Sequence, residues 1–326
     1  MTRVSFERAE ARLTDIFAAA GASPANAASV AWALVTAEAD GLKGHGLSRV
    51  PTYLAMLKSG KIDGQVVPKA SRPKPGVLSI DAGHGFAYPA IDLAIAEIPD
   101  LAREQGIMAA PIRRSNHCGA AGLHVERLAQ QGLVAMLFAN TPGAIAPWGG
   151  SKPVFGTNPI AFAAPLAGRE PVVIDMALSK VARGPIVAAK QKGQAIPEGW
   201  ALDVDGRPTT DATAALAGTM VPLGDAKGAT LAMMVEILAA ALVGAHFGFQ
   251  ASSFLDAQGG PPDTGQLILA IDPHAMGGNW FDERMRALVH AIEAQEGTRL
   301  PGVRRLTLRA KARAEGIEMP EDMLSS

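Results

Sequence analysis

Apolar and polar positions alternate at helical spacing from Phe6 to Leu57, with Ser23-Pro24 as a cap-and-first-turn signal and Gly41, Gly44 and Gly46 interrupting a second helix. This stretch predicts a helical first segment. Gly76 to Asp81 reads as a short strand, followed by a glycine turn, a helix from about Pro89 to Gln105 and a second strand from Ile107 to Ile112. From Leu133 the pattern changes to short apolar runs, Leu133 to Phe138, Ile160 to Ala163 and Pro171 to Asp175, separated by Gly, Pro and Asn turns. That texture predicts a sheet whose loops carry the polar residues. Beyond it, Ile196 to Thr213 is a Pro/Gly/Asp-rich surface excursion, Leu231 to Val243 a buried helix, and Gln266 to Ile271 another strand. Phe281 to Gly297 and Leu306 to Gly316 return to amphipathic helix. The expected organisation is a helical domain from residues 1–75 and 281–326, with a sheet-containing region at 76–280 between them.

Composition narrows the function classes. The 326 residues are 48% hydrophobic, which suffices for a large core. Thirty Lys+Arg stand against 31 Asp+Glu, so no excess positive charge is available to neutralise nucleic acid or an anionic membrane. The single cysteine, Cys118, cannot close an intramolecular disulfide, and no cluster offers a metal site; a reducing cytoplasm is expected. Arg3, Glu7, Arg8, Glu10 and Arg12 occupy the place of an apolar leader core, so no secretion signal is read. The stretch Ala229 to Phe249 is apolar enough to invite a membrane-span reading, but it contains Glu236 and His246 and suits a buried helix better.

Familiar nucleotide and hydrolase motifs are missing. A dinucleotide fingerprint needs three spaced glycines so that a pyrophosphate can approach bare backbone at a helix start, and the best candidate, Gly83-His84-Gly85-Phe86-Ala87-Tyr88, has a bulky Tyr in the third place. There is no phosphate-loop Gly-x-x-x-x-Gly-Lys, no His-Glu-x-x-His and no Gly-x-Ser-x-Gly.

What remains is a set of polar residues in glycine-rich surroundings. In Gly44-His45-Gly46-Leu47-Ser48-Arg49 the His and Arg share a face if the helix resumes there, suiting either a proton donor beside a carboxylate-gripping Arg or a capping His with a surface Arg. Ser115-Asn116-His117-Cys118-Gly119 is a polar turn after a strand, whose His is either structural or functional; Cys118 reads as a packing residue. Asn140-Thr141-Pro142, Gly156-Thr157-Asn158-Pro159 and Asp175 with Ser179 and Lys180 lie at strand ends, where ligand contacts collect and where turns also need such residues. Gly224-Asp225-Ala226-Lys227 opens a helix whose amides and Lys suit a phosphate, or simply a cap.

Together and in order, these segments resemble the malate/L-lactate dehydrogenase-like family of NAD(P)-dependent oxidoreductases, which is distinct from the Rossmann-type lactate and malate dehydrogenases. The resemblance runs from Ala37-Glu38-Ala39-Asp40-Gly41, His45-Gly46 and Arg49, through Phe155-Gly156-Thr157-Asn158-Pro159-Ile160-Ala161-Phe162, to Pro301-Gly302. Ile196-Pro197-Glu198-Gly199, Asp205 to Asp211, Met233-Met234-Val235-Glu236 and Thr264 to Ile268 look most like its cyclic imino acid reductase branch. The resemblance implies an α/β fold with a mixed, largely antiparallel sheet, a non-Rossmann NAD(P)-binding domain, a helical domain built from the terminal segments, and a homodimer. The glycine fingerprint is then not expected.

It also implies roles. His45 and His117 fall on the active-site histidines, Arg49 on the carboxylate anchor, and Asn140, Thr141 and Thr157 on positions lining the substrate and nicotinamide pocket. Asp175, Met176, Ala177, Leu178, Ser179 and Lys180, then Ala226 and Lys227, and Pro301 with Gly302, fall on cofactor-binding segments. Two positions depart from the pattern: Gly44 stands where most members have Ser, and Val303 where many have an acidic residue. The implied activity is NAD(P)H-dependent interconversion of small 2-oxo and 2-hydroxy acids, with reduction of Δ1-piperideine-2-carboxylate or Δ1-pyrroline-2-carboxylate as the alternative. Lys180, Arg183, Lys190 and Lys192 favour NADPH over NADH, because a 2′-phosphate needs a cation.

Overall fold

The computed structural model describes residues 1–324. The chain opens with β1 (Thr2–Val4) and the helices α1 (Phe6–Ala19), α2 (Pro24–Ala39) and α3 (Val50–Ser59). Ser5 and Ser23 cap α1 and α2 by accepting the backbone N–H of Arg8 and Asn26. Next come β2 (Lys69–Lys74), β3 (Val77–Asp81), α4 (Ala87–Gln105), β4 (Ile107–Ser115), α5 (Ala121–Ala129), β5 (Val134–Ala139), β6 (Ile160–Leu166) and β7 (Arg169–Met176). A smaller section follows: α6 (Arg183–Gln191), β8 (Ala201–Leu202), β9 (Pro208–Thr209), α7 (Ala212–Ala217), β10 (Thr219–Met220) and α8 (Ala226–Glu236), which continues as a π turn over Ile237–Ala241. The chain closes with β11 (Thr264–Ile271), α9 (Pro273–Gly277), α10 (Trp280–Glu293), α11 (Val303–Glu315) and β12 (Ile317–Met319).

The central sheet has seven strands in the order β2-β3-β4-β11-β5-β6-β7. The β3–β4 pair is parallel and the other pairs are antiparallel, so the sheet is mixed and largely antiparallel, as expected. Strand alternation supplies two apolar faces. Leu78, Ile80, Met108, Ile112, Leu137 and Ile268 pack under α4 and α5. On the opposite face Phe138 and Leu267 meet Val235 and Ala239 of the α8 segment. A separate core of Leu13, Phe17, Leu34, Tyr53 and Met56 joins α1, α2 and α3 to Ile317 and Met319 of β12, which pairs with β1. Among the described residues, no helix is long and apolar enough to cross a membrane.

Four details differ from the sequence expectation. The division at residues 75 and 76 is displaced, because Lys69–Lys74 is the edge strand of the sheet, and α10 leans on that sheet through the Arg169–Glu293 ion pair. It is α11 and β12 that return to the first helices: Arg305 and Arg309 on α11 pair with the buried carboxylates of Asp40, at the end of α2, and Glu126, on α5. The excursion at 196–213 contributes Ile196, Ala201 and Ala212 to the core and forms a small sheet with β10. The helix expected to be buried over 231–243 hides Ala232, Val235 and Ala239 but exposes Ile237 at 52% and Leu242 at 65%. Finally, the helix does not resume at His45: two 3-10 turns, Lys43–His45 and Leu47–Arg49, intervene before α3.

Candidate active site

The topology gathers the polar turns at one edge of the sheet. There β3, β4, β5 and β7 end while β11 and β6 begin, as the registers Thr264 with Ser115, Gln266 with Ala139 and Ile160 with Met176 show. Leaving β4, the chain makes a tight turn in which the Asn116 side chain accepts the His117 backbone N–H at 2.8 Å and Gln266 donates to the Asn116 carbonyl at 3.1 Å. Gly119 then passes directly over the Tyr88 hydroxyl. A Cβ there would lie 2.6 Å from that oxygen, and φ is +67°, so glycine is needed on both counts.

His45 arrives from the helical layer. The Glu38 carboxylate accepts the Leu47 N–H at 3.0 Å and lies where a Cβ on Gly46 would be, which fixes the kink between the two 3-10 turns. The His45 and His117 rings stack with centroids 5.3 Å apart and planes 17° from parallel. Arg49 donates from Nε to the Gly44 carbonyl at 2.7 Å and from Nη1 to the Phe254 carbonyl at 3.4 Å. Phe254 in turn packs on His117 at 5.2 Å. Burial and then the Arg49 charge push His45 down to about 4, and the same causes, with His45 added, hold His117 well below the usual histidine range. Both rings are therefore neutral near pH 7. The adjoining Cys118 thiol is pushed up to about 12 by burial, with Asp175 adding to it, so it stays protonated.

Asn140, Thr141 and Thr157 are brought to the same sheet edge but differ in what they offer. The Asn140 amide is fully engaged inside the fold, donating to Glu236 at 3.1 Å and to the His246 carbonyl at 2.8 Å while accepting the Gly265 N–H at 2.9 Å. Asn158 donates to the same Glu236 carboxylate at 2.7 Å and accepts the Thr141 N–H. Thr141 and Thr157 are half-buried and linked to each other, Thr141 Oγ1 accepting the Thr157 N–H at 2.9 Å. They are less buried than Asn140 and Asn158, and Asn158 holds Thr141 through its backbone N–H.

The expected cofactor segments converge beside β7. Asp175 accepts the Gly122 N–H at the start of α5, at 2.8 Å. Leu178 is core, whereas Met176 and Lys180 are exposed. Backbone bonds from Lys180 N to Val221 O and from Leu223 N to Leu178 O, each 2.8 Å, set the Ala226-Lys227 helix start beside this segment. Gly302 lies against Val173 with φ +89°. Met176, Lys180 and Lys227 are all exposed, and an apolar side chain with two ammonium groups suits a ligand with an aromatic ring and phosphates. Of the other cations considered, Arg183 donates to the Leu216 carbonyl at 3.2 Å, and Lys190 and Lys192 are exposed near the far end of α6. At Gly83 the glycine serves packing, since a Cβ would lie 2.7 Å from Val66.

Comparison with known proteins matches residues 4–326 to the family described as malate/L-lactate dehydrogenase. The chain belongs to the malate/L-lactate dehydrogenase family. It is 52% identical to (2R)-3-sulfolactate dehydrogenase (NADP(+)) of Chromohalobacter salexigens, over 98% of this chain and 95% of that protein. It is 42% identical to Δ1-pyrroline-2-carboxylate/Δ1-piperideine-2-carboxylate reductase of Pseudomonas putida, over 99% and 95%. The solved structure of Δ1-piperideine-2-carboxylate reductase from Pseudomonas syringae pv. tomato matches it with a TM-score of 0.94 at 40% identity, covering 99% of this chain and 98% of that one. This malate/L-lactate dehydrogenase-family chain is thus an NAD(P)-dependent dehydrogenase or reductase acting on small substrates of the 2-oxo and 2-hydroxy acid kind.

Several residues around the two histidines were not singled out from sequence. Tyr53 and Tyr88, the chain's two tyrosines, are buried and meet at His117: Tyr53 Oη lies 2.6 Å from His117 Nδ1 and 3.0 Å from Tyr88 Oη. A buried tyrosine hydroxyl needs a partner, so two tyrosines in a mostly aliphatic chain were a usable signal. Lys61 is 2% exposed and donates to the carbonyls of Ser253, Asp256 and Gln258, which fastens the loop carrying Phe254. Nothing in the sequence around Lys61 announces that role. Glu236, a carboxylate in an apolar helix, had to find donors, but their identity depends on the fold.

Proposed function

We propose that the chain uses NADPH to reduce C2 of a small carboxylate, His45 and His117 serving the proton that the heteroatom takes up and Arg49 holding the carboxylate. The observation that carries this reading is the stacked histidine pair beside one guanidinium, at a sheet edge that also bears the expected cofactor segments. A bound nicotinamide supplies the hydride. Arg49 fixes the carboxylate and so turns the C2 face, and a histidine donates to the developing alkoxide or amine; such general acid catalysis contributes about two to four decades of rate. Carboxylate binding offsets the charge of Arg49, one of the causes that hold His45 neutral.

Between the substrate readings, a cyclic imino acid gains more from the relatives than malate or lactate does. A single anchor also suits it: Arg49 is the cation beside the histidines, while the Lys61 ammonium is taken up by three carbonyls. A second reading, a 3-sulfo-2-oxo acid, is favoured by the 52% identity to a sulfolactate dehydrogenase. Nicotinamide absorbance with the purified protein, NADPH or NADH, and a panel of Δ1-pyrroline-2-carboxylate, Δ1-piperideine-2-carboxylate, sulfopyruvate, oxaloacetate and pyruvate tests both. Turnover of the ring imines alone selects the first reading, turnover of sulfopyruvate alone the second, and silence with every compound overturns both.

The NADPH preference rests on Lys180 and Lys227 and on the relative whose name includes NADP(+). A Michaelis constant for NADH equal to or below that for NADPH removes it. The apolar side chains of Leu231, Ile237 and Leu242, exposed along the α8 segment, support a homodimer, which light scattering tests by comparing wild type with Ile237→Glu; the lone Cys118 supports a reducing cytoplasm.

A further inference from the structure

Two tyrosine hydroxyls and one imidazole nitrogen form a closed chain at the base of the site. Tyr88, Tyr53 and His117 are 2%, 1% and 8% exposed, and the contacts run from Tyr88 Oη to Tyr53 Oη at 3.0 Å and on to His117 Nδ1 at 2.6 Å. Each hydroxyl carries one hydrogen that must find an acceptor, and both side chains are cut off from bulk solvent. If Tyr88 donates to Tyr53 and Tyr53 donates to Nδ1, both hydrogens are used. In the reverse polarity, with Nδ1–H donating to Tyr53 and Tyr53 to Tyr88, the Tyr88 hydrogen has no acceptor, since its hydroxyl meets no partner besides Tyr53 among the described residues. Leaving a buried donor unmade is costly, so the first polarity prevails.

From this we infer that Tyr53 and Tyr88 are positioning residues that lock His117 as the neutral Nε2–H tautomer, making it a fixed hydrogen-bond donor to the substrate heteroatom while His45 carries the transferable proton. Protonating His117 would put a hydrogen on Nδ1 as well. Either Tyr53 would then accept from both neighbours with its own hydrogen stranded, or the chain would reverse and strand the Tyr88 hydrogen. The tyrosines cannot act as a proton source either, because burial pushes Tyr53 up to about 12 and Tyr88 further above its usual value. Protonating His45 strands no neighbour's hydrogen, since its Nδ1 has no partner among the described residues, and a carboxylate on Arg49 offsets one of the two causes that hold the ring neutral, burial being the larger. In the reduction, C2 gains the hydride, the heteroatom gains one proton from the His45 imidazolium, and solvent later restores that proton. His117 keeps its hydrogen throughout.

The division of labour rests on the proposed reductase reading, but the tautomer does not, and the two are tested apart. Nitrogen-15 histidine labelling of the full chain at pH 7, with His117→Asn to assign its signals, reads the tautomer directly. The expected result is one His117 ring with a protonated Nε2 and an unprotonated Nδ1 in wild type, and a mixture of tautomers in Tyr53→Phe. An Nδ1–H ring or an imidazolium in wild type overturns the inference, as does an unchanged ring in Tyr53→Phe. If the substrate panel shows turnover, Tyr53→Phe should lower kcat about five- to tenfold, the scale of one lost hydrogen bond, with the carboxylate KM little changed. Tyr88→Phe should have a smaller effect on the same parameter. A change confined to KM in Tyr53→Phe would place the tyrosine in substrate binding instead and overturn its role through His117.

Discussion

The two histidines reach the site from regions built in different ways. His117 belongs to the sheet edge, where the Tyr53–Tyr88 pair, the Asn116 side chain and Gln266 fix its ring or its turn. His45 sits on a short 3-10 turn held by Glu38 at one side and by the Arg49 bond to the Gly44 carbonyl at the other, with its Nδ1 unpartnered. The sheet side is organised before any ligand arrives, as a preorganised donor must be. The helical side keeps the freedom to change charge. At Gly44, on the helical side, a Cβ meets nothing within 4 Å, so the Ser that the family resemblance leads one to expect there would fit.

The largest expected effects fall on the pair itself. His45→Ala and His117→Ala should each lower turnover by about two to four decades with circular dichroism unchanged, and full activity in either would remove that histidine from the chemistry. Next is the joint between the two regions. Arg309→Ala leaves the buried Asp40 and Glu126 carboxylates short of a partner and should cost about 3–5 kcal/mol in urea unfolding; an unchanged midpoint would mean that the other contacts of α11 suffice. On the sheet side, Glu236→Ala strips the acceptor from Asn140, Asn158 and the Gly248 N–H, for a loss of about 2–3 kcal/mol and a raised substrate KM as the Thr141 and Thr157 turns loosen. Unchanged kinetics in that variant would detach those turns from the pocket.

Acid should weaken the fold on both sides. Burial holds His45 and His124 at about 4 in the folded chain, so between roughly pH 6.5 and 4 the unfolded chain binds protons that the folded one does not. Stability contributed by these neutral rings is complete above that window and falls as pH drops through it. Thermal melts at pH 7.5 and 5 measure the fall, and His124→Gln should flatten it. The smallest effect is expected for Gly44→Ser, within about 0.5 kcal/mol of wild type by urea titration, because the site is open and its φ is not positive. A large loss would show that the helical side is less permissive than its geometry indicates.

Legibility in the sequence followed the range of the forces involved. The strands were readable because alternation and turn residues are local signals, as Ile107 to Ile112 and Gln266 to Ile271 show against β4 and β11. The outer face of the α8 segment was misread because Leu231, Ile237 and Leu242 have the composition of a core while lying at the surface of this chain. The second small sheet was missed because its two-residue strands carry almost no periodicity.

The sequence by itself determined the family and, through that resemblance, the mixed and largely antiparallel sheet, since the motifs that carry the resemblance lie in order along the chain. Tertiary structure alone decided which partners those residues have. It set Tyr53 between Tyr88 and His117, Lys61 under the Phe254 loop, and Glu236 beneath Asn140 and Asn158. Each of these contacts joins residues at least 35 positions apart, and each satisfies a buried polar group whose partner no local rule can name.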